Sequence, residues 1–558
     1  MARFAEVEFQ EHVPCAMRDG IILQADIYRP QTDVTLPVLL MRQPYGKSIA
    51  STVTYAHPSW YARQGFIVVI QDVRGRGGSE GIFDPFVQEL TDGYDAVEWA
   101  AKLPGSNGRV GMYGFSYQGY TQWAAAAARP PHLTAIAPAM SAADLYRGWF
   151  YPTGRFSLGG TLPWAAQLAR DEARRKDLPA VEAQMSAIMK NPRAFIDHLP
   201  QNDISVLKTL APYYQEWVEH CEDDDYWAKR NLLPILLEQC VPTYHIAGWF
   251  DPYLQGTLQT YARLEEQAAA HRHRLLVGPW GHIPWGRYVA EQDYGVAAAG
   301  RVDTEMVKWF NHWLRDADEL EAASPVRYFV LGRNQWAEAD TWSTAVHQGV
   351  STWYLQSHAA PANGALGGGR LCLEPVETED VATDVFVYDA RLPMECDSFL
   401  PVSRQRLQDR YEILVYTSEK CQDILYIAGA PSLSAWVDAV NAPTDLVAIL
   451  SVVGRDGRAT FLSIGRCQID AKQDETTWRE VLIEMRPVCI EIAKGESIRL
   501  ELTGSAYPLM SRHPNGMDET GIPFVGAEKL NIATVAVACG AKCPSKLVLP
   551  LGRWGASV

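Results

Sequence analysis

The feature that most constrains this chain is a series of four short apolar runs separated by helical stretches. The runs are 38–41 (VLLM), 66–70 (FIVVI), 110–115 (VGMYGF) and 134–138 (TAIAP). Runs this short and apolar on both faces suit strands of a mostly parallel sheet covered by helices. Between the second and third, Tyr94, Val97 and Ala101 with Ala96, Ala100 and Leu103 form a helical stripe that Pro104 ends. After the third, QGYTQWAAAAARPP reads as a helix stopped by a double proline. Strand–helix–strand alternation implies an α/β fold.

The character changes near residue 143. Residues 143–240 hold helical stretches such as LPWAAQLARDEARR and VEAQMSAIMK but no good strand. Strands resume at 242–248 (PTYHIAG) and 274–278 (RLLVG), so the helical part reads as a cap inserted into one α/β domain. A helix over about 303–316 closes that domain, with Asp303 as its cap and Met306, Val307, Phe310, Trp313 and Leu314 as its apolar stripe. From 324 the pattern is all β: many short strands separated by Gly, Pro, Asn and Asp, with a turn signal at Asp456 and Gly457. That spacing suggests a sandwich or jelly roll. The expected division is a first α/β part at 1–142, a cap at 143–240, a second α/β part at 241–323 and a β domain at 324–558.

With 558 residues the chain exceeds what one core supports, which agrees with several domains. The net charge of −16 argues against nucleic acid and anionic membrane surfaces as partners. No apolar run approaches the roughly 20 residues that span a bilayer, and the first residues lack the basic and apolar regions of a secretory signal. The cytoplasm is the expected compartment. Ten scattered cysteines, none in a CxxC pair, point to reduced thiols rather than a zinc site or a disulfide scaffold. No metal or cofactor is expected.

Two serines compete as a nucleophile. A strict G-x-S-x-G match falls on Ser79, within 77–81, but it lies several residues beyond its strand, after the loop DVRGRGG, and no helix follows it. A nucleophile elbow needs the serine at a sharp strand-to-helix turn. Ser116, in GMYGFSYQG at 111–119, has that context, although its second glycine stands one position late. In this kind of fold the acid and the histidine follow in chain order, each on a loop after a strand. Asp251 ends the next strand after the cap, in AGWFDP, where it also reads as an Asx turn before Pro252. His282 ends the following strand, in LLVGPWGH. In that arrangement His282 accepts the Ser116 proton and Asp251 orients the imidazole. The backbone N–H of Tyr117, at the helix start, is the expected oxyanion donor.

At these residues the chain resembles the cocaine esterase / X-prolyl dipeptidyl peptidase group of serine hydrolases. The matching stretches are MRDGIILQADIYRP (17–30), PVLLMRQPYGK (37–47), VVIQDVRGRGGSEG (68–81), GRVGMYGFSYQGYTQW (108–123), AIAPAMSAADLYR (135–147), AGWFD (247–251) and LLVGPWGH (275–282). PVRYFVLGRNQW (325–336) and AYPLMSRHPN (506–515) resemble the group's C-terminal domain. The group's elbow is G-x-S-Y-x-G, as stands at 114–119. The resemblance implies an α/β-hydrolase domain, a helical cap and a jelly roll. It also implies that the Tyr45 hydroxyl is a second oxyanion donor, where the residues alone suggest a half-buried strand-end aromatic. Trp149 and Tyr253, with Phe150 nearby, match positions of the acyl pocket; core packing is the plain reading of all three. A branch acting on α-amino-acid esters places acidic residues two and three positions after the aspartate. Here those positions hold Tyr253 and Leu254, so recognition of a substrate ammonium is not expected. The acidic run at 222–225 (EDDD) reads as a solvated loop.

The expected activity is hydrolysis of a small-molecule carboxylic ester, with a bulky or aromatic acyl group, through a Ser116 acyl-enzyme. An amidase, a β-lactam acylase or an acyl-transferring cyclase would use the same residues. A binding protein built on the jelly roll is the non-catalytic alternative.

Overall fold

The computed structural model describes residues 4–552 except 49–51, 268–271, 284, 321–323, 347, 358–359, 377–381, 471–477 and 517–524. A ten-stranded sheet organises the first part of the chain. In chain order its strands are β1 (Val7–Ala16), β2 (Ile22–Pro30), β3 (Leu36–Gln43), β4 (Ile67–Asp72), β5 (Ser106–Phe115), β6 (Leu133–Ala139), β7 (Thr243–Gly248), β8 (His273–Gly278), β9 (Val326–Val330) and β10 (Gln335–Ala339). Across the sheet the order is β1-β2-β4-β3-β5-β6-β7-β8-β9-β10. Strands β4 to β9 in that order pair in parallel, and the outer pairs are antiparallel. β1 is mostly exposed or half-buried and β2 mixes half-buried with buried residues, so a search for continuous apolar runs passes over them.

The apolar runs are explained by helices on both faces. Val38 and Leu40 of β3 join the core beneath α1 (Glu89–Ala101) and α2 (Tyr117–Ala128). Their neighbours Leu39 and Met41 point the other way and pack with Met306, Val307, Phe310 and Leu314. A doubly covered strand buries side chains on both faces, and every residue of β3 and β4 is buried; the polar ones, Arg42, Gln43, Gln71 and Asp72, stand at the C-terminal ends of the two strands.

Between β6 and β7 the chain forms only helices, the longest being α3 (Leu158–Arg175). The chain then returns through β7 to α4 (Leu254–Gln267) and, after β8, to α5 (Val302–Arg315). Asp303 does not cap α5. It sits inside the first turn, and its carboxylate accepts from the Ala56 N–H at 2.8 Å and from the Tyr61 hydroxyl. The ring of Tyr61 and the 55–56 turn thus take the carboxylate that the helix start would otherwise use.

The all-β pattern begins at 324 in the sequence, next to residues outside the described set, but the change of sheet comes later. β9 pairs in parallel with β8 and antiparallel with β10, so residues 326–339 extend the first sheet. Strand patterning reveals strands, not their partners. The C-terminal jelly roll starts with the strand Val350–Ser357. Its longest hairpin pairs Thr444–Val453 with Ala459–Ile469 around the turn at Gly457. Its interior residues Leu433, Val437, Leu446, Leu450, Leu500 and Val535 belong to a core that continues into the first domain through Trp249, Phe250, Leu258 and Val277.

The cap and the jelly roll meet around a buried carboxylate. Arg155 from the cap and Arg466 from the jelly roll both bond Asp445. Burial alone would raise the Asp445 carboxyl, but the charges of Arg155 and Arg466 outweigh it and hold it well below the usual range. Among the described residues no helix is long and apolar enough to cross a membrane.

Candidate active site

β5 ends at Phe115 and α2 begins at Tyr117, leaving Ser116 alone at the turn between them. Its φ of 60° and ψ of −125° are strained for a residue with a side chain. Two glycines make the turn possible. Gly114 has φ +139°, and a Cβ there would lie 2.5 Å from the Gln118 Cβ. At Gly119 a Cβ would lie 2.5 Å from the Ser141 Cβ and 3.1 Å from the Ala139 carbonyl oxygen. The displaced glycine therefore has a physical cause: it is the helix position that presses against the end of β6.

Beneath the turn lies a buried polar chain. The Tyr117 hydroxyl donates to Glu89 at 2.9 Å and accepts from the Phe86 N–H at 3.0 Å. Glu89 pairs with Arg42 at 2.6 Å. Burial raises the Glu89 carboxyl, with Arg42 opposing. The Tyr117 ring thus pins the start of α2. Its main-chain N–H is one of those a helix start leaves without an intrahelical acceptor.

Tyr45 stands at the end of β3 and is half-buried. Its N–H donates to the Gln43 side chain at 3.0 Å, and Gln43 in turn donates to Asp72 at 3.1 Å. Asp72 also accepts from the N–H groups of Lys47 and Gly78, so it ties together the loops after β3 and β4. Burial pushes Asp72 up to about 6, with those two N–H groups opposing. The Tyr45 hydroxyl is within hydrogen-bonding reach of Ser116 and accepts from the indole N–H of Trp164, on α3, at 3.1 Å. Burial pushes the phenol up to about 12, while Trp164, the charge of Arg76 and Ser116 pull the other way. A phenol that keeps its proton remains a donor.

Asp251 is fully buried after β7. One carboxylate oxygen accepts from the Tyr253 N–H at 3.0 Å, and the other lies 2.6 Å from His282 Nδ1. A carboxylate only accepts, so Nδ1 carries a hydrogen, and in the neutral ring that leaves the lone pair on Nε2. Phe115, the residue before Ser116, packs its ring 5.5 Å from the His282 ring, which brings the imidazole alongside the serine turn. Among the described residues no hydrogen bond joins Ser116 to His282; such bonds are often long before substrate binds.

Aromatic rings surround this group. Tyr253 stands edge-on to His282 at 5.2 Å and stacks on Trp149 at 4.1 Å. Burial, then the Asp251 charge, raises the Tyr253 phenol well above its ordinary value, so that side chain is neutral. Phe150 does not join them. It has no exposed surface and packs on Trp217 at 4.6 Å and Trp227 at 5.1 Å, a layer behind Trp149 in the cap core. Two participants gave no sequence signal of their own: Trp164 sits in a helix that reads only as amphipathic, and Asp72 reads as a strand-end acid. Ser79 has a different use. Its hydroxyl donates to the Asp72 carbonyl at 2.7 Å and accepts from the Gln24 N–H at 2.9 Å, which holds its loop to β2.

Among the described residues one cluster, Glu11, His12 and Asp26, brings three possible metal ligands within 4.8 Å of one another. The Lys47 ammonium already stands 2.7 Å from Asp26 and 3.1 Å from His12 Nδ1. All ten cysteines are unbridged.

Comparison with known proteins covers nearly the whole chain. Residues 19–284 match the model of the X-Pro dipeptidyl-peptidase (S15) family, and residues 319–548 match that of the X-Pro dipeptidyl-peptidase C-terminal non-catalytic domain. Cocaine esterase of Rhodococcus sp. (strain MB1 Bresler) is 31% identical, over 97% of this chain and 98% of its own. An aminopeptidase from a marine-sediment Thaumarchaeota archaeon shares the fold with a TM-score of 0.81 at 22% identity, over 98% of this chain and 96% of its own. An α-amino acid ester hydrolase gives the same TM-score at 20% identity, with the same coverage. A CocE/NonD family hydrolase from Staphylococcus aureus gives 0.70 at 19%, over 98% of this chain and 94% of its own.

Proposed function

The chain belongs to the X-Pro dipeptidyl-peptidase (S15) family, and from that premise we propose that it is a serine esterase whose triad is Ser116, His282 and Asp251. The observation that carries this reading is the Asp251–His282 pair at 2.6 Å beside a strained Ser116 whose hydroxyl faces that of Tyr45.

The geometry supports the following course. Ser116 Oγ attacks the ester carbonyl carbon and gives its proton to His282 Nε2, while Asp251 steadies the imidazolium. The carbonyl oxygen, now negative, accepts from the Tyr45 hydroxyl and the Tyr117 N–H. The C–O bond to the alcohol breaks as His282 returns the proton to it, leaving an acyl group on Ser116. Water, deprotonated by His282, then attacks the acyl carbon, and Ser116 leaves with the proton. No charged group is needed beyond the triad.

The acyl group is best read as bulky or aromatic. Tyr253, Trp149 and Trp164 offer ring faces around the site, and apolar pockets with few polar groups favour such groups. The neutral Tyr253 and the buried Leu254 supply no carboxylate for a substrate ammonium, which favours plain esters over α-amino-acid esters and peptides. A panel of aromatic, aliphatic and aminoacyl esters and amides, run on wild type and Ser116→Ala, tests this. Wild type should prefer aromatic acyl esters, and Ser116→Ala should be inactive. Hydrolysis by Ser116→Ala at the wild-type rate rules out the nucleophile, and a preference for aminoacyl substrates rules out the esterase assignment.

A further inference from the structure

Resting on the triad reading above, we propose that Arg486 of the jelly roll is a positioning residue: its guanidinium fixes the main chain at Asp251 and Pro252, and with it the angle at which Asp251 meets His282.

Arg486 lies between the strands Arg479–Glu484 and Val488–Ile492 and is 3% exposed. Nη2 donates to the Asp251 carbonyl oxygen and Nη1 to that of Pro252 at 3.3 Å. These two carbonyls belong to consecutive residues of the one loop that supplies the acid. The guanidinium carbon sits over the Phe399 ring, 3.9 Å from its centroid. Its own backbone is locked, since its N–H donates to Ile464 and its carbonyl accepts from Ser463 at 2.6 Å. Among the described residues Arg486 has no carboxylate in salt-bridge contact. Burial pushes the guanidinium down to about 10, with the Asp251 charge opposing.

A buried cation without an ion pair is costly, and holding a loop in place does not by itself require one. What a guanidinium adds is a rigid planar fork that grips two acceptors at once, with a fixed charge behind the acid. The jelly-roll residue next to Phe399 also backs the histidine loop: Leu400 packs so close to Gly281 that a Cβ there would be 2.9 Å from it. The jelly roll therefore touches both loops of the Asp251–His282 pair, although the domain model it matches is described as non-catalytic.

The test compares Arg486→Met and Arg486→Lys with wild type on an aromatic ester, with circular dichroism and melting to confirm folding. Misplacing a catalytic group by about 1 Å can cost about a hundredfold, so Arg486→Met should lower kcat by about tenfold or more with KM within about twofold. Lysine, which keeps the charge and one donor, should recover part of the loss. A folded Arg486→Met with kcat within about twofold of wild type overturns the proposal, as does a lysine variant no better than methionine. If the methionine variant does not fold, Phe399→Leu removes the ring beneath the guanidinium and should lower kcat at constant KM; an unchanged kcat overturns the proposal. Asp251→Asn separates the two ideas. An active Asp251→Asn removes the triad reading and this proposal with it. An inactive Asp251→Asn beside an unaffected Arg486→Met removes this proposal alone.

Discussion

The Trp164 indole N–H donates to the Tyr45 hydroxyl at 3.1 Å, so a residue of the cap orients a phenol that faces Ser116 from the end of β3. With its oxygen already accepting the Trp164 bond, the phenol's own hydrogen is left to donate elsewhere.

Removing either partner should therefore act on the transition state. Tyr45→Phe deletes the proposed oxyanion donor and should lower kcat by about 10²–10³-fold. Trp164→Phe keeps a ring but loses the bond, and a smaller drop, about three- to tenfold, is expected. Steady-state kinetics on one ester checks both; an unchanged kcat in Tyr45→Phe removes the phenol from the oxyanion hole.

Ser79 and Gly119 should separate activity from stability. Ser79→Ala loses two buried hydrogen bonds and should cost about 1–3 kcal/mol, while activity per folded molecule stays at the wild-type level. Gly119→Ala forces a methyl against Ser141 and the end of β6. It should disturb the Ser116 turn and lose most activity even where the protein folds. Active-site titration beside urea unfolding distinguishes the two; loss of turnover in folded Ser79→Ala would return Ser79 to candidacy.

The cap–jelly-roll junction depends on one carboxylate. Asp445→Asn leaves Arg155 and Arg466 buried without their counter-charge and should destabilise the protein by about 3–5 kcal/mol. Because the folded carboxyl titrates below its unfolded value, its stabilisation is present above about pH 4. It is lost as pH falls through the folded pKa. Differential scanning calorimetry at pH 7 measures the loss.

Buried histidines should make stability fall between about pH 6.5 and 4. Burial pushes His513 and His273 down to about 4 and His245 further, so each stays neutral in the fold where the unfolded chain takes up a proton. The Asn515 N–H donates to His513 Nδ1, which requires the neutral ring. Each histidine should contribute about 1.4 kcal/mol of lost stability per pH unit across that window, while Asp72, raised to about 6, acts in the opposite sense. His513→Asn, which keeps an acceptor, should flatten the pH dependence of the urea midpoint; an unchanged slope would falsify the assignment to His513.

The sheet and the Asp251–His282 pair were legible in the sequence for one reason: strands buried on both faces leave unbroken apolar runs, and this fold sets its chemistry where such runs end. Ser116 was legible from context, since a strand ran straight into it and a helix straight out. Contacts between distant segments were not. Periodicity shows that Trp164 lies on a helix but not that the helix crosses Tyr45. Nothing near Arg486 in sequence marks the loop it grips. Phe150 was misplaced because adjacent aromatics look alike in sequence, while in the helix that holds them one ring faces Tyr253 and the next faces the cap core. Asp303 failed as a cap because Tyr61, more than 200 residues away, takes its carboxylate.

The pairing of β9 and β10 with β8 bears on how this protein can be cut. Excision of the α/β part at residue 323, where the pattern changes, would strip β8 of its neighbour and open a sheet edge of unsatisfied N–H and C=O groups. Such an edge recruits other chains, so the shortened protein would aggregate. A fragment running past Ala339 keeps β10 as the edge of the sheet, but it bares Trp249, Phe250 and Leu258, which pack in the jelly roll's core, and it loses Arg486 from the Asp251 loop.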